Sequence, residues 1–561
     1  MGLIPKKYAH KDPPQPSDVA VLLGGATGRD GVHGATASSA AMTGETLEKE
    51  SAAVQIGHPI TERRFTTAIP ILRDRECIRS ITDLGAGGIS CAVGEMGAET
   101  GVLINLDSVP LKDQGLSAWE ILLSESQERM LMAVPVDKLG EALSILDRFE
   151  VAHTILGCFT DRGRLEVMWK DQIVVDLEMS FLWGACPIDP TPTARPQRNR
   201  VPLNIPAPKT TDDWDKSACG ILCHYHCADQ SPAGSRFDST VQGRTAVGPY
   251  GGKNHRMPTN IYVSAPLRGK PEGIITTLAF NPFYGEIDPA AMARLMVLEA
   301  ITKAVVAGAD YHQMVLCDNF YTPRVRPETA CELVEMVEAV ARLSVELGVP
   351  FISGKDSSSG TFEAGGRRID VPPTLAVAAM GRVGDVKAMV TKEFKRAGNR
   401  LLLLGRYDAE ALGGTVYADC FGQRGDRLFD AYIASEIKAQ WDCLRELHAR
   451  RRYVSASAIA EGGILLRLFE AAFGSGLGAR VEFDGLPAAR RDGLLFGEFI
   501  GTCLLEVPPD FEISPEIPHQ FLGHVTAESR LTLVEHGAVI WEEGIAQLAE
   551  SWSRTFREVV K

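Results

Sequence analysis

Between Leu122 and Leu131 the chain sets Ser124, Glu125, Ser126, Gln127, Glu128 and Arg129 inside a frame of Leu122, Leu123, Met130 and Leu131. Polar groups held among apolar ones must find partners. A run this dense in hydroxyl, carboxylate, amide and guanidinium groups points to a ligand, a metal ion or a closed side-chain network. The plainer reading is a helix start, because Ser124 and Gln127 have the spacing of a capping box.

Other groups with chemical reach lie where apolar runs end. Asp83 closes the run Ile81–Asp83 ahead of Gly85-Ala86-Gly87-Gly88, a position suited to a carboxylate that holds a metal. The run Val19–Leu23 enters a loop rich in glycine, Gly24–Gly34, that carries Thr27, Arg29, Asp30 and His33. That loop is neither a Walker A motif nor G-x-G-x-x-G, and a structural glycine turn explains it equally well. Further on, Asp318 and the segment Ser353-Gly354-Lys355-Asp356-Ser357 also end apolar runs. Glycine, lysine, aspartate and serine at a strand end suit phosphate oxygens and Mg²⁺, or else make a polar hairpin. Cys219, Cys223 and Cys227, with His224 and His226 beside them, read either as a metal set or as one stripe of a buried helix.

The elements that must position these groups are strands running into glycines, interleaved with amphipathic helices. Helical periodicity is expected from Glu62, over 137–150, over 289–307 and over 327–347. A proline-rich stretch, 185–217, can hold neither a helix nor a central strand and marks a boundary. From about residue 390 the chain repeats itself. Leu401–Gly405 resembles the opening strand, Ile459–Gly463 resembles Leu84–Gly88, Leu495–Glu498 resembles Leu122–Glu125, and Phe521–Thr526 resembles Ile155–Thr160. One offset of roughly 370 residues relates all four, which argues for a duplicated domain. The copies differ in chemistry: Ala458 stands against Asp83, and Phe499, Ile500 and Thr502 stand against Ser126, Gln127 and Arg129. Polar in one copy and apolar in the other, these residues are expected to bind in the first and to serve as scaffold in the second.

Composition narrows the classes of function. A net charge of −14 over 561 residues with no basic stripe argues against nucleic acid. A phosphate ligand in that field needs local arginine, backbone amides or Mg²⁺. No apolar run approaches the roughly 18 residues of a membrane helix, and the polar N-terminus has no signal-peptide core. Twelve scattered cysteines in a large chain lead to an expectation of reduced thiols in the cytosol.

On six motifs the chain resembles the large (synthetase) subunit of phosphoribosylformylglycinamidine synthase, within the aminoimidazole ribonucleotide synthetase-like superfamily. They are Gly28-Arg-Asp-Gly-Val-His-Gly34, Val54-Gln-Ile-Gly57, Asp83-Leu-Gly-Ala-Gly87, Leu123-Ser-Glu-Ser-Gln-Glu-Arg-Met130, Asn281-Pro with Tyr284-Gly-Glu-Ile-Asp-Pro289, and Ser353-Gly-Lys-Asp-Ser357. The resemblance implies tandem α/β domains of alternating barrel-forming and lid type. It sets 1–184 as the first lid, which binds substrate, and 185–217 as a linker. Residues 218–388 become the second barrel-forming domain with a nucleotide and Mg²⁺ site, and 389–561 a degenerate second lid. The family's first barrel-forming domain, which carries its catalytic histidine, is expected to be missing and to come from another chain. No catalytic residue is therefore assigned here.

The implied reaction joins ammonia to formylglycinamide ribonucleotide at the expense of ATP, in purine biosynthesis. Phosphoryl transfer to the amide oxygen precedes ammonia attack. The implied partners are a glutaminase subunit that supplies ammonia and a small accessory subunit. By motif, Gln55, Glu125, Ser126, Gln127 and Ser357 are expected at substrate, Asp318 and Gly354 at ATP, and Asp83, Glu299 and Asp356 at Mg²⁺. One departure stands out. The family's Glu-x-x-x-Asn pair is here Glu299 and Lys303, and a protonated lysine ligates no metal. Alternatives are a non-catalytic nucleotide-binding assembly subunit or truncated copy, and a superfamily relative such as aminoimidazole ribonucleotide synthetase or a hydrogenase-maturation protein. The duplication and the Ser124–Arg129 run disfavour that relative.

Overall fold

The apolar run at the N-terminus forms an inner strand of a seven-stranded sheet. Its strands are β1 (Val19–Gly24), β2 (Ser80–Asp83), β3 (Val102–Asn105), β4 (Arg129–Val134), β5 (His153–Phe159), β6 (Arg164–Trp169) and β7 (Gln172–Glu178), in the order β2-β4-β1-β5-β3-β6-β7. In this computed structural model residues 3–32, 42–46, 54–184, 190–198, 200–487 and 490–559 are described. Alternation along β1 sends Ala20 and Leu22 into one core and Val21 and Leu23 into another. The first core is shared with α2 (Gly88–Met96) and α3 (Ala118–Leu123), the second with α1 (Pro59–Asp74) and α4 (Leu139–Arg148). A strand covered on both faces has no polar side to show, so it reads in sequence as an unbroken apolar run. Each such leucine contributes about 1.5–3 kcal/mol by burial.

Two local expectations change. The helix read from Glu62 starts at Pro59, whose fixed φ suits the first helical position. The capping box lies at Ser117 and Glu120, at the start of α3, and Ser124 ends that helix instead of beginning one. Residues 124–128 are thus a loop between α3 and β4, and the helix-start reading of the polar run is overturned.

The second sheet has six strands, β8 (Thr245–Val247), β9 (Tyr262–Ser264), β10 (Gly273–Ala279), β11 (Met314–Tyr321), β12 (Phe351–Ser357) and β13 (Thr374–Val383), in the order β12-β11-β13-β10-β9-β8. Only β11 and β12 pair in parallel. Helix α5 (Thr211–Cys223) precedes this sheet, and α6 (Pro289–Val306) and α7 (Pro327–Leu347) pack on it. Helix α6 is apolar all round and almost wholly buried, as a helix with cover on every side must be.

The third sheet repeats the first strand for strand. Its members are β14 (Arg400–Leu404), β15 (Ser455–Ala458), β16 (Gly478–Glu482), β17 (Cys503–Val507), β18 (His519–Thr526), β19 (Arg530–Glu535) and β20 (Ala538–Gly544), in the order β15-β17-β14-β18-β16-β19-β20. Even the register shift recurs, between Ala20 and Val21 against β5 and between Leu401 and Leu402 against β18. Leu402 and Leu404 face the core around α6, while Leu401 and Leu403 face α8 (Gly463–Ser475) and α9 (Ile545–Val559).

By backbone contacts the chain divides into two units, Met1–Pro190 with Ser359–Asp370 and Thr191–Ser358 with Val371–Lys561. The segments expected as two domains, 218–388 and 389–561, thus form one unit through the shared core at α6. A hairpin, Thr361–Ala364 with Arg367–Asp370, leaves the expected second domain, because Phe362 and Glu363 pair with Met42 and Thr43. Of the cysteine stripe, Cys219 and Cys223 face Ser551 on α9 and Cys227 is buried. His224 pairs with Asp419 instead of with the thiols.

Candidate functional site

In the first unit four loops meet around the run Ser124–Arg129. One follows β1 and carries Thr27 to Asp30, another is the segment 54–58, a third joins β2 to α2, and the fourth is the polar run itself. Glycine makes the β2–α2 turn possible. Gly87 caps α2 in the left-handed region at φ 77°, and Gly88 follows at φ 56°. A Cβ on Gly88 would come within 2.0 Å of the Ser124 carbonyl oxygen.

Part of the polar run closes on itself. Arg129, buried, donates to the Ser126 carbonyl at 2.8 Å, the Thr27 hydroxyl at 2.9 Å and the Ser124 carbonyl at 2.5 Å. Burial lowers its pKa to about 10. Ser124 and Ser126 hydroxyls lie 3.1 Å apart, and Gly28 N–H donates to Ser126 Oγ at 3.0 Å. Ser126 N–H donates to Ser124 Oγ at 3.2 Å. Every polar atom of Ser126 therefore works inside the loop. Asp30 pairs with Lys112 at 2.7 Å. Burial pushes its carboxyl up, but hydrogen bonds from Lys112 and Ser126 outweigh that and hold it below the usual range.

The remainder links the loop to its neighbours. Glu125 is 4% exposed and accepts from Gln55 Nε2 at 2.7 Å and from Gly87 N–H at 3.2 Å. Gln127 is half-buried and its amide donates to the Glu125 carbonyl at 3.0 Å. Glu128 Oε2 accepts from His58 N–H at 2.8 Å and so ties down the segment of Gln55. Asp83 is exposed at the end of β2, and no hydrogen bond or ion pair reaches its carboxylate among the described residues. Arg29 is turned to Glu120 at 3.0 Å and to the Gln114 and Gly115 carbonyls. His33 lies outside the described residues.

The duplicate site shows what these contacts are for. Glu498 in the third sheet's loop accepts from Gly462 N–H at 3.0 Å, as Glu125 accepts from Gly87. Gly462 and Gly463 repeat the φ angles, 74° and 62°. Glu498, 2% exposed, also accepts from Tyr284 O–H at 2.6 Å and Val416 N–H at 2.8 Å. Burial first, and then the neighbouring Glu461, pushes its pKa to about 7. The carboxylate is thus common to both copies as a strut across the glycine turn. The asymmetry between the copies therefore does not reach that bond. Ser126 and Arg129, whose counterparts Phe499 and Thr502 are buried, close the first copy's loop. The asymmetry does reach Asp83 and Gln127, whose counterparts Ala458 and Ile500 are buried. It extends also to Gln55, because the strut oxygen that Gln55 meets in the first copy is enclosed in the second.

In the second unit Asp318 and Gly354 are paired across β11 and β12. A Cβ on Gly354 would lie 2.1 Å from Asp318 Oδ1, so the carboxylate rests on bare backbone. Partial burial raises the Asp318 pKa, against the hydrogen bond from the Lys355 amide. Lys355 Nζ reaches Ser357 Oγ at 2.8 Å, and Ser358 Oγ donates to Asp356 at 2.9 Å. Asp318 and Gly354 lie mid-strand, with Asp356 on the same face of β12 and Ser357 on the other, at the strand's end. Glu299 stands apart on α6, joined to none of them by a hydrogen bond or ion pair among the described residues. Its carboxylate meets the ammonium of Lys303 at 2.5 Å.

A Mg²⁺ ion fits Asp83 better than Glu299. Asp83 has an exposed carboxylate with no protein partner among the described residues, whereas Glu299 already holds a cation of its own chain. Among the described residues no three His, Cys, Asp or Glu side chains gather as a ligand set.

Known proteins share the sequence and the fold. Residues 15–170 match the family described as AIR synthase related protein, C-terminal domain. The chain is 30% identical over 562 residues to phosphoribosylformylglycinamidine synthase subunit PurL of Thermomicrobium roseum, covering 96% of this chain and 72% of that protein. It is 31% identical to the PurL of Parvibaculum lavamentivorans, covering 95% and 71%. The structure is similar to that of T. maritima PurL complexed with FGAR, with a TM-score of 0.64 at 22% identity over 92% of this chain and 73% of that one. The Thermotoga maritima PurLQS structure gives a TM-score of 0.64 at 20% identity, covering 92% and 72%. T. maritima PurL complexed with ATP gives 0.62 at 21% identity, with the same coverage as PurLQS.

Proposed function

The chain belongs to the phosphoribosylformylglycinamidine synthase subunit PurL family, and on that premise we propose that it converts FGAR, ATP and ammonia to formylglycinamidine ribonucleotide, ADP and phosphate in purine biosynthesis. Ammonia would reach it from a glutaminase subunit, in a cytosolic assembly with a small accessory subunit.

The observation that carries this reading is the contrast between the two copies of one loop. The second copy seals its glutamate with a tyrosine hydroxyl and two amides. In the first copy Glu125 meets an exposed glutamine, Gln55, and a bare carboxylate, Asp83, lies nearby in the fold. Gln55, Glu125 and Gln127 would orient the ribonucleotide. Ser126 would act through the loop it closes, since its own polar atoms are all engaged. Asp83 would hold Mg²⁺, which supplies charge neutralisation for phosphoryl transfer when bound. Arg129 shapes the loop, and the Gly87 turn brings the start of α2 beside it. Catalysis of this kind rests on positioning and on compensating phosphate charge. In the second unit Asp318, Gly354 and Ser357 would face nucleotide or phosphate, with Asp356 as the carboxylate beside them.

Calorimetric titration of the full chain with FGAR tests the assignment. Gln55→Ala and Gln127→Ala should each weaken binding by about tenfold or more, equivalent to about 1.4 kcal/mol. Binding unchanged in both variants would remove these residues from the site.

A further inference from the structure

A cavity of about 710 Å³ opens in the second unit, lined by Lys303, Glu461, Arg467 and Glu470 on one side and by Tyr250 and Phe280 on the other. Lys303 also lines a small enclosed space of about 20 Å³ together with Lys392 and Ala458. The charges here form one pair and one cluster of three, with Glu461 beside them. Glu299, 1% exposed, receives no hydrogen bond from any backbone amide or hydroxyl among the described residues. Its partner is the Lys303 ammonium at 2.5 Å, one helical turn on, and that ammonium also donates to the Leu278 carbonyl at 2.9 Å. Lys392 meets Glu470 at 2.7 Å, and Arg467 approaches the same carboxylate at 3.4 Å; all three side chains are buried.

We infer that Lys303 is a built-in counter-cation that takes the place of a divalent metal at Glu299, so that the second half of this protein has a metal-free version of the site. A buried carboxylate requires a positive partner. Here that partner is covalently part of the chain and anchored by a second bond, to Leu278. A divalent ion at Glu299 would have to displace that ammonium, because the neighbouring Glu470 is already met by Lys392 and Arg467 and only Glu461 adds a further carboxylate beside the cavity. The carboxylate that serves the first copy, Asp83, has become the methyl group of Ala458 in this one. The pairing of Glu299 with Lys303 holds whatever reaction the chain catalyses. The halves also differ in charge: the cavity beside Glu299 sets Lys303 and Arg467 among the carboxylates Glu461 and Glu470, whereas Asp83 in the first unit has no cation of its own chain among the described residues.

Mn²⁺ counted by electron paramagnetic resonance on the full chain decides this, with melting temperature as a second readout. Glu299→Gln should bind as many Mn²⁺ equivalents as the wild type, and with the same affinity. Because that variant strands a buried lysine, the single variant Lys303→Met and the double variant Glu299→Leu with Lys303→Met are made alongside it. The double variant should melt above either single variant, since it removes both charges together, and should also lose no Mn²⁺. Loss of one equivalent in Glu299→Gln or in the double variant would overturn the inference, and so would a double variant that melts lower than both singles. Asp83→Asn reports separately on the first unit. If it too loses no Mn²⁺, the reading of Asp83 fails while the inference about Lys303 stands.

Discussion

Replacing Glu498 by glutamine tests whether the second copy's carboxylate is a sealed strut. The side chain receives three hydrogen bonds and is nearly inaccessible to water. A carboxyl held at about 7 in place of 4.5 withholds about 3 kcal/mol from the folded state once ionised, at about 1.4 kcal/mol per pH unit. Its folded pKa is raised, so its contribution is complete below pH 4.5 and is lost as pH rises through 7. Glutamine does not titrate. Its NH₂ also faces donors, which should cost about 1–3 kcal/mol at low pH. The deficit of Glu498→Gln should therefore be largest near pH 5 and shrink, or reverse, by pH 8.5. Glu299 is also raised, to about 7, but it titrates in both proteins and cancels in the difference. Urea unfolding followed by fluorescence of the buried Trp441 and Trp541 would measure that difference across pH. A deficit constant from pH 5 to 8.5 would show that Glu498 is not a buried titrating strut, and the comparison with Glu125 would fall with it.

The matching change in the first copy, Glu125→Gln, should cost less stability than Glu498→Gln and weaken FGAR binding, checked by unfolding and titration of one preparation. Arg129→Met strands the Ser124 and Ser126 carbonyls and should destabilise the first unit by about 2–4 kcal/mol, read by urea unfolding. Gly88→Ala drives a methyl into the Ser124 carbonyl at positive φ and should cost more than about 1 kcal/mol, seen as a lower melting temperature. Lys392→Met leaves Glu470 buried beside Arg467 alone and should cost about 3 kcal/mol, with the loss largest where Glu470 is ionised.

Where contacts are local, the fold could be read from residues alone. The buried helices α6 and α7 follow their apolar periodicity and proline starts to within a residue. The Glu299–Lys303 pair lies one turn apart on one helix. The duplication was legible because glycine turns with positive φ leave few substitutes, and the topology of the two sheets carries it further than the four sequence matches do. What could not be read depends on distant pairing. Tyr284 seals Glu498 from 214 residues away, and no local pattern announces it. Phe362 pairs with Met42, which moves a hairpin out of the domain its sequence position suggests. Arg29 finds Glu120, so the arginine of the glycine-rich loop is already paired. Ser126, expected at substrate, bonds to Ser124 and Gly28, and its carbonyl meets the buried Arg129.

The account depends most on Asp83 being a working carboxylate. ADP release should be measured with this chain, its partner subunits, ATP, Mg²⁺, ammonia and FGAR together. Asp83→Asn should slow the FGAR-dependent rate at least a hundredfold, about 2.7 kcal/mol of barrier, while melting as the wild type does. A variant that folds normally and releases ADP at the full rate would contradict the assignment of the first copy as the active one.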